Sequence, residues 1–133
     1  MKNISATELA PSEHAASLHT EWDVNELLQR LDNDHTFLLE LLAVYRQDSQ
    51  TSLQSAKNAL ASQDLAALER TAHSLKGMMK NLLMNRTAQS ASDLEVAARQ
   101  GEAKQAAALL AQLEKAMEEL LPEVDAQLAE VKA

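Results

Sequence analysis

Cysteine is absent, so no disulfide and no thiolate metal site can form. Two glycines cannot build a Gly-rich phosphate loop, which excludes Rossmann and P-loop chemistry. Val, Ile and Thr together fill 12 of the 133 positions, and the aromatics are Trp22, Phe37 and Tyr45. That scarcity of strand formers argues against any sheet. No run of 18 apolar residues exists, and the N-terminus lacks the apolar stretch of a signal peptide. Basic residues are outnumbered by acidic ones, 12 to 20, giving a net charge of −8. A chain without a basic footprint or stacking aromatics is not expected to bind nucleic acid, and anionic lipid would repel it. A soluble cytoplasmic protein is the expectation.

Alanine and leucine fill 47 positions, and strong helix formers dominate. The expected class is all-α. Residues 1–21 are polar and weakly periodic and read as a flexible tail or linker. Residues 22–133 read as one helical domain. WDVNELLQRL suggests a short helix entered through Asp23 and stopped by Asp32, Asn33 and Asp34. Leu38, Leu42, Tyr45, Ser49, Leu53, Ala56 and Leu60 then mark one stripe of a helix over about 34–62. Leu65, Leu68, Ala72, Leu75, Met79 and Leu82 mark a second over about 64–84, capped by Asp64 and ended by Asn85. Thr87, Ala91, Leu94 and Ala98 mark a third over about 86–100, stopped by Gly101. Heptads from Leu110 to Val131 mark the last, with Pro122 predicted to kink it without breaking it. Four such helices with short connections predict an antiparallel up-down-up-down four-helix bundle, with the segment 22–31 as a short extra N-terminal helix over one end.

Most catalytic templates fail. There is no Gly-x-Ser-x-Gly, no His-Glu-x-x-His and no Glu-x-x-His. Of His14, His19, His35 and His73, only the last lies inside a strong helix. At ~100° per residue, His73 falls roughly 140° from the centre of the apolar stripe and faces water. Lys76, Gly77, Lys80 and Met84 fall on the same side by this count, with Arg70 and Asn81 at its edge, so Met84 is expected to be exposed. Residues 69–86 carry Arg70, Lys76, Lys80 and Arg86 against Glu69, a positive island in an acidic chain. Such an island suits an anion. Gly77 costs about 1 kcal/mol of helix stability relative to alanine, which suggests that something large approaches the helix there.

The segment AHSLKGMMKNLLMNRTAQSASDLE (72–95) resembles the histidine phosphotransfer (HPt) domain of bacterial multistep phosphorelays. The motif His-x-Leu-Lys-Gly stands as His73, Leu75, Lys76 and Gly77, and Leu94-Glu95 follows at the family's spacing. Met78 and Met79 stand where relatives often carry small residues, and Leu83-Met84 where many carry Gly-Ala.

The resemblance implies a phosphocarrier rather than an enzyme. It predicts that His73 takes a phosphoryl group from a receiver-domain aspartyl phosphate and passes it to another receiver aspartate. An unperturbed imidazole, with a pKa of about 6.5, is mostly neutral at pH 7 and keeps one nitrogen lone pair free for attack. Lys76 and Lys80 would screen the phosphoryl oxygens, and Gly77 would leave room for the receiver. Glu95 would accept a hydrogen bond from Nδ1 and fix the tautomer. Met78, Met84 and Arg70 would form a docking rim, methionine being adaptable to several partners. The partners implied are response-regulator receivers or a hybrid sensor histidine kinase, and Mg²⁺ would come from the receiver. The chain itself would hold no cofactor or metal, would not use ATP, and is expected to be a monomer. The rival expectations are a helical adaptor without chemistry and a metal-carboxylate bundle with Glu69 and His73 as ligands. The apolar stripes argue against the second.

Overall fold

The computed structural model describes residues 22–132. The tail expected over 1–21, with His14 and His19, lies outside them, as does the Val131 side chain. Every regular element among the described residues is a helix. These are α1 (Val24–Arg30), α2 (His35–Ala61), α3 (Leu65–Asn81), α4 (Asn85–Arg99) and α5 (Ala103–Lys132). The long helices close a ring: α2 packs on α3, α3 on α4, α4 on α5, and α5 returns to α2. None is long and apolar enough to cross a membrane.

Local chemistry sets the boundaries. The Asp23, Asp34 and Asp64 carboxylates each accept the backbone N–H three residues on, at 3.0 Å, and so cap α1, α2 and α3. The other ends share one geometry. A left-handed residue follows each C-cap: Asp32 (φ 56°), Gln63 (φ 58°), Leu83 (φ 60°) and Gly101 (φ 77°). The next N–H bonds back to the carbonyl five residues earlier, as in Asp64 N to Ala59 O and Met84 N to Met79 O, both 2.8 Å. This is the Schellman closure, and it turns the chain within two or three residues. α5 runs through Pro122 without a break.

One expected boundary is wrong, and a side chain is misplaced with it. Helix α3 stops at Asn81 rather than near 84. Leu83, not Asn85, takes the left-handed turn. Leucine there is disfavoured by about 1–2 kcal/mol, so no residue type advertises this turn. Two features hold it. Met84 and Met79 are both buried at the positions where the closure brings apolar side chains together. The Trp22 indole Nε1–H donates to the Leu82 carbonyl at 2.7 Å. Met84 is therefore off the helical wheel that placed it beside His73. It is 1 % exposed, in the core, and cannot be a docking residue. It also lines a cleft of about 270 Å³ between α4 and α5, with Trp22, Thr87 and Leu120, away from His73.

Candidate functional site

His73 stands at mid-helix on α3. The buried residues of that helix, Leu68, Ala72, Leu75 and Met79, point to the core. One step round from Ala72 lies His73, whose side chain is 68 % exposed. Gly77 is one turn on, and a Cβ built there would meet nothing within 4 Å. No internal contact therefore requires glycine. Its absence of a side chain leaves open surface next to the imidazole.

Across the groove, α4 presents Glu95. Among the described residues this is the one buried carboxylate. Oε2 lies 2.9 Å from His73 Nδ1 and 3.0 Å from Arg99 Nη2, and Oε1 lies 2.6 Å from Lys76 Nζ. Arg99 also reaches back to α3, where its Nε–H donates to Glu69 Oε2 at 2.8 Å. Two carboxylates and two cations thus interleave beside the imidazole and balance one another.

The hydrogen bond from Lys76 holds the Glu95 carboxyl below the usual carboxylate range, aided by the His73 bond and opposed by burial. Glu95 is ionised at neutral pH and can only accept. The proton between them therefore sits on Nδ1, and in a neutral ring the lone pair is on Nε2. That nitrogen is the outward one. The arrangement presents a nucleophilic nitrogen to solvent while its opposite edge is tethered.

The structure brings His73, Lys76 and Glu95 into one bonded cluster, with Gly77 adjoining it. Lys80 and Arg70 are exposed on the same helix and make no contact with Glu95. Met78 is half-buried and packs against the core. From the sequence Arg99 has no place in the site, and Glu69 is paired with His73 only as a metal ligand in the rival reading. The Glu95–Arg99 spacing of four was a legible signal, since such pairs meet on one helix face. The pairing of Arg99 with Glu69 needed the register of α3 against α4. No group of side chains suited to a metal ion occurs among the described residues.

The family model described as Hpt domain matches residues 40–123, more than half of the chain. The fold is similar to the crystal structure of histidine-containing phosphotransfer protein B (HptB) from Pseudomonas aeruginosa. The two are 29 % identical with a TM-score of 0.76, over 82 % of this chain and 95 % of that one. No curated protein matches.

Proposed function

Because the chain belongs to the Hpt domain family, whose members are phosphotransfer intermediates of phosphorelays, we propose that His73 is its phosphoryl-carrying residue. The observation that carries this reading is an exposed imidazole whose Nδ1 is tied to a buried, ionised carboxylate. In the forward step the Nε2 lone pair forms an N–P bond to an aspartyl phosphate. The P–O bond to the aspartyl carboxyl breaks, and the carboxylate leaves with the electron pair. As the ring gains positive character, Glu95 stabilises the Nδ1–H. The reverse sequence hands the group to a second carboxylate.

Lys76 serves chiefly to hold Glu95 ionised. The exposed cations Lys80 and Arg70 supply potential to the phosphoryl oxygens. The receiver brings Mg²⁺ and most of the charge stabilisation. The chain has no nucleotide loop and does not phosphorylate itself from ATP. We place it in the cytoplasm as a monomer that meets receivers, or the receiver of a hybrid kinase, one at a time.

The test is incubation with phosphorylated receivers. Label should appear on the wild type, be acid-labile and alkali-stable, and be absent from His73→Gln. A wild type that takes no label from any receiver, with a His73→Gln protein that keeps function, would favour a helical adaptor instead.

A further inference from the structure

Arg99 is the one side chain that bonds both to Glu95 and to the helix that carries His73. Its Nη2 takes Oε2 of Glu95 at 3.0 Å, the same oxygen that meets His73 Nδ1 at 2.9 Å. Its Nε takes Glu69 at 2.8 Å. Glu69 lies four residues before His73, so the guanidinium spans the α3–α4 groove from the turn below the imidazole to the carboxylate beside it. Lys76 fixes the other oxygen, Oε1, at 2.6 Å. A carboxylate bonded at one oxygen can still swing about that contact. Bonded at both, it cannot. The planar guanidinium suits this task because its fork fixes direction, which an ammonium does not.

We propose that Arg99, braced by Glu69, is a positioning residue that holds Glu95 Oε2 on the His73 Nδ1–H and so keeps the lone pair on the outward Nε2. This rests on the phosphotransfer reading, because it assigns the brace a purpose in that reaction. Arg99 acts through Glu95 and touches no reacting atom.

Three variants separate the brace from other roles. Arg99→Met removes the charge and both bonds. Arg99→Lys keeps the charge and loses the fork. Glu69→Gln loosens the brace without touching Glu95. Each is checked by circular dichroism for a folded helical bundle. The fraction of Nδ1–H is read from ¹⁵N shifts of the imidazole, with no receiver present. Label uptake is read against the concentration of a phosphorylated receiver. The maximal rate should fall about tenfold in Arg99→Met and less in the other two, because small misplacements near a reacting group cost rate steeply. Half-saturation should stay put, and Nδ1–H should decline in the same order. A shift in half-saturation with an unchanged tautomer would show Arg99 to be a docking residue and overturn the proposal. So would no change in either readout. If the wild type takes no label while Arg99→Met still loses Nδ1–H, the brace stands and only the transfer reading fails.

Discussion

Replacing Glu95 with methionine isolates the tether on the imidazole. Methionine is close in length, fills the groove, and cannot accept a strong hydrogen bond. What the imidazole loses is one bond from Nδ1–H to an ionised acceptor at 2.9 Å. Bonds to charged groups contribute about 1.5–3 kcal/mol. The imidazole is 68 % exposed, so water competes for it and the lower figure applies. About 1.4 kcal/mol is a factor of ten in rate. A buried triad that loses its orienting carboxylate loses about 10⁴, which bounds the effect from above. The expected result is a maximal transfer rate about tenfold below wild type, with receiver affinity little changed. ¹⁵N shifts should show a mixture of tautomers in place of one. Lys76 and Arg99 lose their partner, so rates must be compared at a temperature where both proteins are fully folded. A Glu95→Met protein that transfers at the wild-type rate, with its ring still protonated on Nδ1, would refute the tether.

The Glu95 carboxyl is held low by Lys76 and His73. Its stabilising contribution is complete above the unfolded carboxylate pKa of about 4.3 and is lost as pH falls through the lower folded value. Urea melts should therefore show wild type more stable than Glu95→Gln at pH 6, with the gap closing below about pH 4; a gap unchanged in acid would contradict this. Gly77→Ala meets no neighbour within 4 Å. It should raise stability by about 1 kcal/mol, a few degrees by calorimetry, while a larger Gly77→Leu slows uptake from a receiver. Met84→Ala empties a core position and should cost about 2–4 kcal/mol in a denaturant melt without changing receiver affinity. Gln63→Gly relieves an exposed left-handed residue at φ 58° and should stabilise by about 1 kcal/mol in the same assay.

Helix number, stripes and most caps were readable because they depend on neighbours within four residues. An aspartate before an apolar repeat caps a helix whatever lies across the bundle, so Asp23 and Asp64 could be placed from sequence, while Asp34, read there as the stop of the preceding helix, caps α2 by the same rule. The exposure of His73 followed from the same periodicity. The end of α3 did not, because its left-handed residue is a leucine held by tertiary contacts. There the wheel was carried three residues too far, and Met84 was turned from core to surface. A helical projection is only as good as its last residue.

The charge island shows the same limit from the electrostatic side. Summed along the sequence, residues 69–86 are a cationic patch. Folded, Lys76 is spent on Glu95, a residue outside that window, and Glu69 is matched by Arg99, also outside it. The island as counted thus mixed Lys76, already bonded to Glu95, with exposed cations, Arg70 and Lys80 among them. The distinction matters chemically. A lysine bonded at 2.6 Å to a buried carboxylate acts on the imidazole only through that carboxylate. An exposed lysine can swing to an incoming phosphoryl oxygen, at the strength of a screened surface charge. Removing Lys80 should therefore weaken transfer more at low salt than at high salt, whereas removing Lys76 should weaken it equally at both. The two cations nearest the motif differ in kind, and only the cross-helix register reveals which is which.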